Sequence, residues 1–443
     1  MKIKLSDHFT YSKLLRFVFP SIIMMVFTSI YGVVDGLFVS NFAGKTAFAS
    51  INLVMPFVMI LGGIGFMIGT GGTALVSKVL GEGKKEKANE IFTMMIIFTL
   101  LLGTLLSVIG VTSMPWVAKF LGATEEMMAD CVLYGRIVTG FTVAFMLQNV
   151  FQSFLIAAEK PKLGLLATVL AGIANMALDA IFIIVFKWGV AGAAIATGLS
   201  QCVGGIFPLI YFLRKNSSLL RLTKTKLEIK PILNACGNGS SELMSNISSS
   251  VVSMIYNFQL MKYVGEDGVS AYGVLMYVQF IFVAIYIGYS IGCAPITGYH
   301  FGARNHNELK NMLRKSSFLS AVSGVVLTIL AIALSSPLAK IFVGYDEELY
   351  ELTRHAFRLF AYSFLLAGFN IFTSSFFTAL NNGAVSAAIS FMRTLIFQTS
   401  SVLILPIFLG VDGIWWAITV AEFFAFILSL TFLFAKRKKY HYM

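Results

Sequence analysis

The sequence predicts an all-α polytopic membrane protein, with twelve transmembrane helices in two pseudo-symmetric six-helix lobes. Three observations carry this reading. Of 443 residues, 57% are hydrophobic and only 12% charged, whereas a soluble domain carries about 25% charged residues. A globular core cannot hide so much apolar surface from water, but a bilayer can. Apolar runs long enough to cross a bilayer, roughly 20 residues each, recur twelve times between short polar breaks. Finally, six pairs of glycines coincide when the chain is laid over itself at a shift of 221 residues.

The runs lie near residues 14–40, 47–77, 91–113, 131–155, 163–186, 190–213, 233–261, 270–298, 313–336, 356–380, 385–409 and 413–435. Turn and charge signals separate them, as at 81–87, 159–161 and 381–383. The N-terminal stretch does not read as a cleaved leader: its apolar run is too long and has no small-residue cleavage site. With the N-terminus placed inside, 24 of the 33 Lys and Arg fall in inside segments and 7 outside, with Arg136 and Arg393 within spans. Cytoplasmic loops carry such an excess, so both termini are expected in the cytoplasm and the protein in the plasma membrane, the inner one where a cell has two. The net charge of +12 is therefore topological rather than a nucleic-acid surface. The longest polar stretch, 214–230, divides the chain into an N-lobe (1–213), a cytoplasmic linker (214–232) lying on the membrane surface, and a C-lobe (233–443).

The 221-residue shift superposes Gly44 on Gly265, Gly71 on Gly292, Gly81 on Gly302, Gly103 on Gly324, Gly189 on Gly410 and Gly192 on Gly413. Asn149 also falls on Asn370 and Val190 on Val411. An even number of spans per repeat keeps both copies in one orientation, so the lobes should be related by an axis along the membrane normal, with a cavity between them. Separately movable halves around a cavity suit alternating access better than a simple pore.

An acid at mid-membrane costs roughly 2.5–3.5 kcal/mol on insertion scales, so each one asks for a function. Asp35, Asp179, Glu242 and Glu422 lie within spans. Asn175 and Asp179 are four residues apart and share a helix face. Asp35 and Thr197 lie at similar depth, so these four residues can meet in the outer half of the N-lobe. Two carboxylates, an amide oxygen and a hydroxyl suit a proton or a hard cation such as Na⁺. The alternative is a polar network that only glues helices together. The repeat places Tyr256, Ile396, Ser400 and Ile418 at the corresponding positions. The carboxylates are absent there, so the fold common to both lobes does not need them. Glu242, in the inner third of span seven, is a candidate for attracting cationic substrates into the cavity, with Asn149, Asn370 and Tyr31 as further cavity candidates. Glu422 and Arg393 occupy neighbouring spans and could pair; Arg136 receives no role.

Motifs for other classes are missing. Gly44-Lys45-Thr46 has the tail of a phosphate-binding loop, but Val39 stands where its first glycine belongs. No nucleophile or zinc motif occurs, and the four cysteines form no CxxC pair. An enzyme is therefore not expected, nor any cofactor beyond a coupling ion. One charge crossing 100 mV supplies about 2.3 kcal/mol, enough to drive transport. With 41 Phe and 20 Met, some of these soft side chains must line the cavity, suiting varied flat organic molecules.

The chain resembles the multidrug and toxic compound extrusion (MATE) transporters, prokaryotic type, over nearly its whole length. The residues that carry this are Pro20 with Tyr31-Gly32-Val33-Val34-Asp35, Leu80-Gly81-Glu82-Gly83 before a basic run, Asn175-x-x-Leu178-Asp179-x-x-Phe182-Ile183, and Trp188-Gly189-Val190-Ala191-Gly192 with Thr197, echoed by Gly410-Val411-x-Gly413. The resemblance implies two lobes in a V that open alternately to either side. It implies export of small, cationic and amphipathic organic molecules coupled to H⁺ or Na⁺. It also implies a cation site at Asp35, Asn175, Asp179 and Thr197, and a helix-one bend at Pro20. An acid that other branches use on helix seven matches Glu242. Their acid on helix ten is replaced here, in the region of Asn370. A monomer is expected. The competing reading is a lipid-linked precursor flippase, which would call for several cationic residues in the cavity; only Arg136 and Arg393 lie within spans. A channel gives no account of the lopsided acid cluster.

Overall fold

The computed structural model describes residues 3–443, and among these all regular structure is helical. The N-lobe is built from α1 (Tyr11–Phe38), α2 (Lys45–Gly81), α3 (Lys85–Phe120), α4 (Glu125–Gly140), α5 (Thr142–Ala157), α6 (Pro161–Asp179) and α7 (Gly189–Leu213). The C-lobe comprises α8 (Ile229–Tyr263), α9 (Glu266–Gly302), α10 (His306–Val343), α11 (Glu347–Ala361), α12 (Phe364–Ala379), α13 (Gly383–Phe391), α14 (Gln398–Leu409) and α15 (Val411–Tyr440). Loops hand over to helices with side-chain caps: Thr10, Thr124, Asn305, Asp346 and Asn382 each accept a first-turn amide.

Among the described residues nine helices are long and apolar enough to cross a bilayer, and two bent pairs bring the count to eleven. The twelfth span is α8, whose 35 residues are ample for a crossing. Its many Ser and Asn, with Glu242, make it the most polar of the set, as suits a helix facing an interior rather than lipid. It starts at Ile229, inside the expected linker, because Pro231 is tolerated in a first helical turn.

Residues 131–155 and 356–380, expected as single spans, are each divided by a bend. α4 meets α5 at 53° across Phe141, and α11 meets α12 at 48°. At the first break the Phe141 ring packs where a side chain on Gly198 would otherwise stand. At the second the Tyr286 hydroxyl donates to the Phe364 carbonyl at 2.7 Å, taking up an acceptor near the break. Residues 141 and 362 are repeat partners, so both lobes bend at one place.

The coincident glycines now have physical reasons. Gly44 and Gly265 have φ of 100° and 85°, and Gly189 and Gly410 have 53° and 60°, a region open to glycine but not readily to other residues. Gly81 and Gly302 form a clasp between the lobes: a Cβ on Gly81 would collide with the Tyr299 carbonyl, and one on Gly302 with the Lys78 carbonyl. Residues 78 and 299 are also repeat partners, so the pseudo-twofold axis passes through this contact. A second close crossing sets Gly71 against the Ala235 carbonyl and Gly239 against that of Met67.

Packing shows where the lobes join. One apolar cluster lies wholly in the N-lobe, around Val54, Met114, Tyr134 and Ile183, and another wholly in the C-lobe, around Tyr256, Phe282, Phe360 and Trp415. On the side bearing the termini, clusters cross between lobes: Phe17 and Met24 pack with Ile296 and Phe376, and Phe92 and Phe154 with Ile232 and Ala235. The lobes are sealed on the terminal side and separate on the other. The N-terminal segment straps the sealed side. The Leu5 amide donates to Glu159 Oε1 of the N-lobe at 2.9 Å, and the Phe9 amide to Glu308 Oε1 of the C-lobe at 3.0 Å.

Candidate functional site

α1 packs along α6, and α6 along α7, in the unsealed half of the N-lobe. Asp35 lies in the last turn of α1 and Asp179 is the last residue of α6. Their carboxyl groups are near enough to act on one another electrostatically. Each is followed by a π-helical turn, Val39–Ala43 after α1 and Ala180–Val185 after α6. Such turns are rare and frequently mark functional sites. Asn175 stands one turn before Asp179 and is buried with it. Thr197 lies on α7, the next helix over.

The electrostatics of this cluster are unusual. Asp35 Oδ1, both oxygens of Asp179, the Asn175 amide oxygen and the Thr197 hydroxyl are buried, and none has a hydrogen-bond partner. Gln201 Oε1, one turn beyond Thr197, is unpartnered as well. Buried acceptors are ordinarily satisfied, and leaving one unsatisfied costs about 1–3 kcal/mol. Two carboxylates this close cannot both be charged cheaply without a positive partner. Such an arrangement has the chemistry to accept a cation or a proton.

Two neighbours escaped the sequence reading. Tyr134 of α4, almost fully buried, lies within electrostatic reach of both carboxylates. Gln148 of α5 lies beside the side chain of Tyr31, which itself stands beside Asp35 and against Gly172 of α6. Tyrosine and glutamine carry no insertion penalty large enough to stand out in an apolar run, so nothing marked them.

The C-lobe presents the opposite chemistry. Glu422 of α15 is 1% exposed and fully partnered. Arg393 donates from Nε to Oε1 at 2.8 Å and from Nη2 to the same oxygen at 2.7 Å. Asn370 Nδ2 donates to Oε2 at 2.7 Å, and Asn370 Oδ1 accepts from Ser429 at 3.1 Å. At the positions matching the N-lobe carboxylates, Tyr256 is buried and stacks on Tyr272, with ring centroids 4.9 Å apart.

The remaining candidates are dispersed. Asn149 is buried in the N-lobe and donates to the Gly62 carbonyl at 3.1 Å, tying α5 to α2. Asn370, its repeat partner, belongs to the Glu422 network. Pro20 lies within α1, which continues unbroken through it. Arg136 donates to the Val111 carbonyl at 3.2 Å on the lobe's exterior. Glu242 is half-buried on α8, between Gly239 and Asn246, both of which touch α2. Among the described residues no ion pair or hydrogen bond reaches its carboxylate.

The MatE family model matches residues 20–181 and 243–401, one block per lobe. The chain is 23% identical over 435 residues to the multidrug export protein MepA of Staphylococcus haemolyticus, covering 97% of this chain and 94% of that protein. A solved structure described as the outward-facing conformation of a multidrug resistance MATE family transporter of the MOP superfamily superposes with a TM-score of 0.93. It has 22% identity and covers 98% of both chains. One described as MATE in the straight conformation superposes with a TM-score of 0.91 at 22% identity, covering 97% of this chain and 98% of that one.

Proposed function

Because the chain belongs to the MATE family, whose model spans most of both lobes, we propose that it is a secondary active exporter of small organic molecules, driven by inward flow of H⁺ or Na⁺. The carrying observation is the donor-starved cluster of Asp35, Asn175, Asp179 and Thr197. A cation entering from the unsealed side supplies the missing positive charge and draws α1 and α6 together. A proton serves the same end by turning one carboxyl into a donor toward the other. Either changes the packing between α1 and its lobe, and α1 also packs on α9 of the C-lobe. Site occupancy is thereby coupled to the lobe–lobe contact. Glu242, unpaired on the polar helix α8, is the acid best placed to hold a cationic substrate between the lobes. With the termini cytoplasmic, the unsealed side faces outward, in keeping with MepA's being an export protein.

The test is efflux of ethidium from proteoliposomes under separate pH and Na⁺ gradients, for the wild type and Asp35→Asn. Gradient-driven efflux that disappears in the variant, with dye binding retained, supports the assignment and identifies the ion. Unchanged efflux in the variant overturns it.

A further inference from the structure

The sealed side holds a feature that the transport cycle above does not use. Beneath the glycine clasp, between the cytoplasm-side ends of α2 and α9, lies a cavity of about 750 Å³. Lys78, Glu82 and Lys84 line it from the N-lobe, and Arg304 and His306 from the C-lobe. Lys84 Nζ pairs with Glu82 Oε2 at 2.8 Å. Lys78 and Arg304 have no carboxylate partner among the described residues. Lys78 Nζ instead sits 5.6 Å from the centre of the Phe301 ring. His306 Nδ1 is buried without a partner, and its ring lies 5.0 Å from that of His441. A second cavity of about 510 Å³, lined by Arg437, Lys438 and His441, adjoins it through that contact.

A positive surface on this side follows from topology alone, but a concave one with unpaired cations converging from both lobes does not. Arg304 has φ of 54°, and its repeat partner is Gly83 at 78°. An arginine therefore occupies a backbone position that the other lobe gives to glycine. Basic pockets between transmembrane helices at this level suit phosphate head groups.

We propose that this seam cavity binds a phosphate group, either the head group of an anionic phospholipid or inorganic phosphate, and that its occupancy favours the state sealed on this side. The linkage is geometric. Lys78 and Lys84 move with one lobe, Arg304 and His306 with the other, so the site is complete only while Gly81 and Gly302 touch. A ligand that binds one state alone shifts the population toward it.

The test uses the full chain in nanodiscs, with spin labels at Glu86→Cys and Asn307→Cys on a background without native cysteines. Inter-label distances are compared in phosphatidylcholine alone, with added phosphatidylglycerol, and with added inorganic phosphate. The short-distance, sealed population should rise with the anion. The Lys78→Gln/Arg304→Gln variant should need about tenfold more anion for the same shift. A response to phosphatidylglycerol alone names the head group, and a response to inorganic phosphate names the free ion. Lys224→Gln/Lys226→Gln removes the same charge from the linker and should respond as the wild type does. The proposal is overturned if neither anion moves the distance, if Lys78→Gln/Arg304→Gln responds like the wild type, or if the linker variant loses the response equally.

Discussion

Asp179 and Glu422 are both acids buried in the membrane, and their surroundings give them opposite work. Glu422 has every lone pair engaged by Arg393 or Asn370, so it has nothing to offer an incoming ion. Breaking a buried pair leaves an uncompensated charge, at about 3–5 kcal/mol. Arg393→Ala should therefore lower the melting temperature in detergent sharply, and Arg393→Met/Glu422→Leu should recover most of the loss. Asp179 has no donor on either oxygen. In the absence of the coupling ion Asp179→Asn should stabilise the fold by roughly 1–3 kcal/mol of relieved desolvation, seen as a higher melting temperature, while gradient-driven efflux disappears; a destabilised variant would mark Asp179 as structural glue. The sequence showed Asp35, Asn175, Asp179 and Thr197 as a set because acids in apolar runs are expensive and the second repeat lacks them. It could not show that Glu422 is saturated and Asp179 is not, since that difference lies in rotamers and crossing helices.

Among the elements, the helices were readable and their joints were not. Span length and loop charge follow from composition, so eleven spans emerge as long apolar elements once the bent pairs are counted, and α8 as a polar twelfth. The breaks at Phe141 and beside Phe364 depend on a ring meeting Gly198 and a hydroxyl from α9, contacts that join distant parts of the chain. Glycine matches were visible as a pattern, but their roles differ, being left-handed turns at Gly44 and Gly189 and close helix crossing at Gly71 and Gly81. Close crossings predict steric sensitivity. Gly239→Ala would press a methyl group into the Met67 carbonyl, and overpacking of this kind costs about 1–3 kcal/mol. The expected outcome is a lobe contact loosened on the terminal side, read as faster labelling of a cysteine placed on the facing surface of α2. Gly237→Ala, where nothing lies within 4 Å, is the control and should label like the wild type.

For the molecule as a whole, the duplication supplies two movable bodies and the chemistry resides in one of them. The apolar clusters confined to single lobes lie on the unsealed side, so that side can separate without tearing a core. The terminal side is fastened by shared clusters and by the strap at residues 5–9. Glu308 anchors that strap through the Phe9 amide, the His8 ring at 2.7 Å and Asn311. Glu308→Ala should release it. Hydrogen exchange at the Phe9 amide should accelerate at least tenfold, and the sealed state should become less populated; unchanged exchange would show that the apolar packing of Phe9 suffices.

The glycine clasp carries one more consequence. Where Gly71, Gly81, Gly239 and Gly302 meet the opposite lobe, backbone lies directly on backbone, and no side chain intervenes at those four contacts. Re-forming such a contact requires no search through rotamers. At these contacts the tempo passes from the protein to its solvent: two rigid surfaces must displace lipid, and their closure should slow as the viscosity of the surrounding membrane rises.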